Sequence, residues 1–190
     1  MKKNASEALM SIFEEKQIER ERIFDGVVLK VVKDKVLLPD GETSYREFCL
    51  HNGGVAVLPL DDDGYVTLVR QYRYAHGREF IEIPAGKLDK IGEIPLDAAM
   101  RELKEETGAT AEKITFLGTV DTTPALINEK LYLYLAEGLS FGESSLDEGE
   151  FLGVMRVKFS DLVGMVMDGK IQDAKTQIAT LKTAKIKGLL

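Results

Sequence analysis

Residues 86–109 read GKLDKIGEIPLDAAMRELKEETGA, and the folding of this stretch decides what the rest of the chain must support. Pro95 suits the first position of a helix, where the missing proline N–H leaves no intrahelical bond unmade. Gly108 suits its end, because glycine takes the left-handed conformation of a C-terminal cap. At about 100° per residue, Leu96, Ala99, Met100, Leu103 and Thr107 fall on one arc, the expected core stripe of an amphipathic helix. Glu102, Glu105 and Glu106 share the adjacent arc, and Asp97, Arg101 and Lys104 take the remaining side. A solvated acidic face is the plain reading, but local stability opposes it. Glu102 and Glu106 are like charges at i and i+4, and all three acids lie toward the negative end of the helix dipole. Hard divalent cations such as Mg²⁺ take oxygen ligands of this kind.

Short apolar segments surround the helix. Residues 1–20 read as a helical or loose lead-in, followed by strands from IFDGVVLKVVKDKVLL onward. LPDGE (38–42) has turn chemistry and predicts a hairpin, and DDDG (61–64) predicts a second between two apolar strands. EFIEIPAG reads as a short strand stopped by Pro84 and Gly86. Strands resume at KITFLGTVDTT and KLYLYLAEG, and the acidic loop SSLDEGE leads into the strand FLGVMRVKF. Ser160 is expected to cap a short helix ending near Met167. Asp173 is expected to cap a last one, with Ala174, Ile178 and Leu181 on one face. The fold class is α+β, with strands on both sides of a central helix.

The chain has 190 residues, 44% hydrophobic and 30% charged, a balance that supports one globular core. Its net charge of -7 argues against a dedicated nucleic-acid binder, though not against an anionic substrate, because bound cations reverse the local sign. The one cysteine, Cys49, excludes an internal disulfide and a cysteine-rich zinc site and reads as a small apolar strand residue. The N-terminal segment lacks an apolar signal core and no run of 18 apolar residues exists, so a cytoplasmic address without membrane contact is expected.

From Glu93 the spacing is seven residues, then Arg101-Glu102-Leu103-Lys104-Glu105-Glu106-Thr107-Gly108-Ala109. This resembles the signature of the Nudix hydrolases, G-x5-E-x7-R-E-U-x-E-E-x-G-U with U apolar. The match departs upstream: six residues, 87–92, separate Gly86 from Glu93 where the signature has five, and Ile91 is the expected insertion. The resemblance implies a Nudix fold, a mixed β-sheet sandwiched between helices, with an N-terminal β-meander arm. It implies residues 1–50 as lead-in and dimerisation arm and 51–190 as the hydrolase domain. It also implies metal held by Glu102, Glu105, Glu106 and the carbonyl of Ala85, with Mg²⁺ as cofactor and Mn²⁺ as a substitute. Glu93 and Arg101 would form a structural strut.

Features outside the signature resemble the ADP-ribose pyrophosphatase group. They are EIPAGKL before the helix, TTPALINEK with Pro124 and Glu129, the LDEGE loop, VRQYR ending at Arg73, Arg46 in SYREF, and GKIQDAKT. By this resemblance Glu148 matches the catalytic base, with Glu150 as an alternative or a helper and Glu105 also in the catalytic set. Arg46, Arg73, Glu82, Gly86, Pro124 and Glu129 would form the substrate pocket. The group has Ser-Pro-Gly where this chain has Thr123-Pro124-Ala125, which puts the sugar specificity in question. The implied activity is metal-dependent hydrolysis of ADP-ribose to AMP and ribose 5-phosphate by a homodimer. The alternatives are another nucleotide sugar such as GDP-mannose, or a module that binds without cleaving.

Overall fold

The structure, a computed structural model, describes residues 12–88, 92–146 and 149–190. The chain divides into two compact units. One comprises residues up to His51 together with Thr122–Glu129, and the other comprises Asn52–Asp121 and Lys130–Leu190.

The first unit is an antiparallel meander of β1 (Lys16–Asp25), β2 (Lys30–Leu37) and β3 (Thr43–Leu50). Lys16–Arg20 therefore belong to a strand, not to a helical lead-in. Their apolar residues are too sparse for a helix face, and the ladder to β2 decides their state. The turn at 38–42 closes the predicted hairpin: the Leu38 N–H donates to Glu42 O, and Gly41 takes φ 92°. Along β2, Val32, Asp34 and Val36 point inward with the period of a strand. Arg20 lies opposite Asp34 in the ladder and clamps it through Nε and Nη2 at 2.7 and 2.6 Å. The 122–129 segment is stitched to the end of β3 by the bonds Cys49 N–H to Leu126 O and Asn128 N–H to Cys49 O.

The second unit contains two sheets. The first has the order β7 (Ala85–Lys87), β4 (Gly54–Pro59), β9 (Lys130–Phe141) and β8 (Ala109–Asp121). The second has the order β10 (Leu152–Lys158), β5 (Tyr65–Arg73) and β6 (Arg78–Glu82). Among the described strands of these two sheets, only β4 and β9 run parallel. Strand β4 is buried on both faces, which explains its unbroken apolar run. Val55 and Val57 pack with Ala98, Ala99 and Leu103 of α1 (Pro95–Thr107). Ala56 and Leu58 face the larger core with α2 (Phe159–Met167) and α3 (Ala174–Ile186). The mixed sheet is thus sandwiched between helices.

Several expectations change at this level. DDDG is a tight turn, with the Asp61 N–H on Tyr65 O, but β4 and β5 share only the bridge Leu60–Val66 before entering different sheets. Gly86 lies within β7 and does not stop a strand. In α1 the buried residues are Ala98, Ala99, Leu103, Glu106 and Thr107, while Leu96 and Met100 are exposed. The two adjacent alanines let the helix lie close to the sheet, which turns its inner face toward Glu106. Ser160 makes no cap, since α2 starts at Phe159 without a side-chain cap bond. Asp173 does cap α3, accepting the Thr176 N–H at 2.9 Å. The buried stripe of α3 is nevertheless Thr176, Ala179, Thr180, Thr183 and Ala184, with Ala174 exposed and Ile178 and Leu181 at the margin.

Candidate active site

Helix α1 keeps the boundaries that Pro95 and Gly108 imply: proline stands at its first position, and Gly108, at φ 70°, donates its N–H to Lys104 O. Its last turns face the start of β7. There the Ala85 N–H donates to Glu106 Oε2 at 3.0 Å. The carboxylate of Glu102 lies over Gly86, in the space that a Cβ there would occupy. Glycine is therefore what lets the strand approach this acid. Glu106 is 4% exposed. Burial, with the Glu102 and Glu150 carboxylates adding to it, pushes its carboxyl up to about 8, against the pull of the Ala85 N–H and Arg73.

Arg101 gathers the other acids. Its Nη1 donates to Glu102 Oε1 at 2.8 Å and Glu105 Oε2 at 2.9 Å, and its Nη2 lies 3.6 Å from Glu93 Oε1. Among the described residues no three His, Cys, Asp or Glu side chains are placed to hold an ion as they stand. Arg101 draws Glu102 and Glu105 toward itself, while Glu106 turns to the Ala85 N–H, so the carboxylates are neighbours without a common focus. The acidic loop leaves from the same end of the helix, with the Ser145 N–H on Glu105 O and the Gly142 N–H on Gly108 O. In that loop Glu150 Oε1 lies 3.4 Å from Gln71 Nε2 of β5. Glu148 and Ile91 lie outside the described residues.

Beside the acids stands a second ionic group. Arg73, at the end of β5, donates through Nε and Nη2 to the two oxygens of Glu82, both at 2.7 Å. Glu82 is 2% exposed and also binds Lys175 Nζ, which donates in turn to Asp173 Oδ1 at 2.9 Å. Burial pushes the Glu82 carboxyl up, but Arg73 and Lys175 together outweigh it and hold it below the usual carboxylate range. Glu82 is therefore an internal anchor. Gln71 and Lys175 were not singled out as site residues by the sequence. The signals available were VRQYR for Gln71 and GKIQDAKT for Lys175.

The remaining expected site residues belong to the other unit. Arg46 on β3 is exposed and pairs with Glu15 Oε1 at 2.5 Å, while its Nη1 reaches Tyr45 O at 2.9 Å. Pro124 sits in an exposed turn closed by the Leu126 N–H on Thr123 O. Among the described residues no non-glycine residue has positive φ, so the Ala125 of that turn is unstrained. Glu129 accepts the Thr122 hydroxyl at 2.8 Å and lies 3.5 Å from His51 Nδ1.

A family profile described as NUDIX domain matches residues 50–179. The chain is 44% identical over 172 residues to the ADP-ribose pyrophosphatase of Bacillus subtilis (strain 168), which is 90% of this chain and 92% of that one. It is 42% identical over 170 residues to the methanol dehydrogenase activator of Bacillus methanolicus, 88% of this chain and 91% of that one. Its fold is similar to that in a crystal structure of an ADP compounds hydrolase, with a TM-score of 0.80 at 23% identity, covering 93% and 96% of the two chains.

Proposed function

The chain belongs to the Nudix hydrolase family, whose members generally depend on a divalent metal, and from that premise we propose that it cleaves the pyrophosphate of ADP-ribose with Mg²⁺. The observation that carries the reading is the closeness of Glu102 and Glu106 to Ala85 and Gly86. The residues fit such an ion. Three carboxylates and a main-chain carbonyl offer only hard oxygens, and Gly86 keeps open the space that Glu102 fills. Bound there, Mg²⁺ or Mn²⁺ supplies charge neutralisation for the phosphate oxygens and a more acidic water.

The side chains divide the remaining tasks. Arg73 spends one edge of its guanidinium on Glu82 and offers the other to phosphate oxygens. Glu148 takes the proton of the attacking water, with Glu150, beside Gln71, as an alternative or a helper. Glu105 completes the acidic set, and Arg101 with Glu93 braces it. Water adds to one phosphorus, the bond to the bridging oxygen breaks, and AMP and ribose 5-phosphate leave. Arg46, Pro124 and Glu129 contribute to substrate binding, and residues 1–50, which include β1, β2 and β3, form the arm of a homodimer, with 51–190 as the hydrolase domain. Among the described residues no helix is long and apolar enough to cross a membrane, and we place the enzyme in the cytoplasm.

The test is a panel of nucleotide sugars, ADP-ribose and GDP-mannose among them, at two metal concentrations with products separated by chromatography. ADP-ribose is expected to be the fastest substrate; if it is the slowest by orders of magnitude, the reading fails. Tight binding without turnover would instead indicate a sensing module. The activator relative favours a second reading, in which a dehydrogenase is the target. Adding the chain to methanol dehydrogenase and finding the rate of alcohol oxidation unchanged would dismiss it.

A further inference from the structure

The stretch GKIQDAKT, which the hydrolytic chemistry leaves without a role, lies at the start of α3. Two connections run from it toward the site. Thr176 Oγ1 accepts the N–H of Ile83 at 2.9 Å while donating to Asp173 Oδ2 at 2.5 Å. This fixes the backbone two residues ahead of Ala85. Lys175 Nζ binds Glu82 Oε2 and Asp173 Oδ1.

Glu82 is the hub of the second connection. Its side chain is 3% exposed, that of Lys175 is 11% exposed, and that of Arg73 remains 41% exposed. The gradient is informative. A buried carboxylate gripped by two cations is fixed in position, and the cation nearer the surface inherits that fixity. Arg73 is held through Nε and Nη2, so the direction of its remaining edge follows from the angle of the Glu82 carboxylate. Without Lys175 one oxygen of Glu82 loses a buried charge-assisted bond. The carboxylate is then free to move with Arg73, and the free edge of the arginine loses its fixed direction.

We infer that Lys175 is a positioning residue: by pinning Glu82 from the helix side, it aims Arg73 at the phosphates of a nucleoside diphosphate substrate. The inference rests on the hydrolase reading for the role of Arg73. It goes beyond that reading in giving the start of α3 a part in substrate affinity. Asp173 serves both connections, through Oδ1 to Lys175 and through Oδ2 to the Thr176 N–H and hydroxyl. One residue thus orients the lysine and starts the helix that carries it.

The experiment is a double-mutant cycle of Lys175→Met and Arg73→Ala, with Lys175→Arg as the conservative control. Steady-state hydrolysis of ADP-ribose is measured at saturating Mg²⁺, and binding of ADP is measured by calorimetry without metal. Lys175→Met is expected to raise KM and the ADP dissociation constant about tenfold with kcat nearly unchanged, the pattern of lost uniform binding. Lys175→Arg recovers most of both. In the Arg73→Ala background, Lys175→Met is expected to change neither. A lysine that only stabilises the fold would lower the thermal midpoint and leave KM and ADP affinity intact, and that result overturns the inference. So does an equal factor with and without Arg73. Should Lys175→Met fail to fold, Lys175→Gln enters the same cycle under the same criteria. A wild type that binds ADP but spares ADP-ribose defeats the substrate reading alone, since the metal-free cycle still reads the coupling.

Discussion

At Glu106 a carboxylate that is 4% exposed sits four residues from Glu102 and accepts the Ala85 N–H. One backbone bond does not offset the burial of a charge, so the protein without metal gains nothing from ionisation there. Glu106→Gln keeps the shape and removes the charge. Its thermal midpoint in chelator is expected to match or exceed that of the parent, while hydrolysis falls by several orders of magnitude. Calorimetry showing a clearly lower midpoint would mean that the acid serves the fold. Gly86 is the complementary case. The atoms its Cβ would meet are the far end of Glu102, a flexible side chain, so alanine is accommodated by pushing that carboxylate aside. Gly86→Ala should therefore fold with an ordinary circular dichroism spectrum and show weaker Mg²⁺ binding by titration calorimetry. Unaltered metal affinity would remove Glu102 from the ligand set. These residue types and their order were readable in the chain. Which of the three glutamates is buried was not, because a periodicity count places acids on solvent and the alanine pair that rotates α1 acts only through packing.

The elements differ in how far local chemistry determines them. Proline at the first position and glycine at the end bound α1 because each acts on its own backbone. The DDDG turn also forms locally, yet β4 and β5 part into separate sheets, because β4 pairs with β9 and β7 and β5 with β10 and β6. Long-range pairing of that kind leaves no mark in a short window. The start of α3 is intermediate: its cap was legible, its ionic bonds to β6 were not. Removing the cap should thus do more than fray a helix. Asp173→Ala is expected to cost about 1–2 kcal/mol, the range for loss of a side-chain cap, seen as a lower urea midpoint. It should also weaken ADP-ribose affinity, since the hold on Lys175 goes with it. Asp173→Asn keeps a capping oxygen and should recover stability more fully than affinity. Recovery of both in parallel would leave the residue a cap only.

Across the whole molecule, the two units bury acids in different company, and the meander offers the cleaner pH signature. Asp34 is 4% exposed, and its bonds from Arg20 outweigh burial to hold the carboxyl below the usual range. A depressed folded pKa adds stability that is complete above the unfolded value, about 4, and is lost as pH falls through the folded one. Hydrogen exchange of β1 and β2 amides should therefore quicken in acid below that point, and Asp34→Asn should flatten the dependence while lowering protection at neutral pH. The same strands bear on assembly. Every residue of β1 is exposed, Ile18 at 53%, Ile23 at 51% and Phe24 at 55%, and its outer edge has no partner strand among the described residues. A strand with an open edge and exposed apolar side chains such as these is an association hazard unless something covers it. A second copy of the chain is the occupant that the homodimer proposal supplies. Light scattering at micromolar concentration is then expected to give twice the chain mass, and Ile23→Glu with Phe24→Glu should return a monomer with α1 and its sheet intact. A wild type that elutes and scatters as a monomer would end the arm's role in assembly and leave β1 needing another cover.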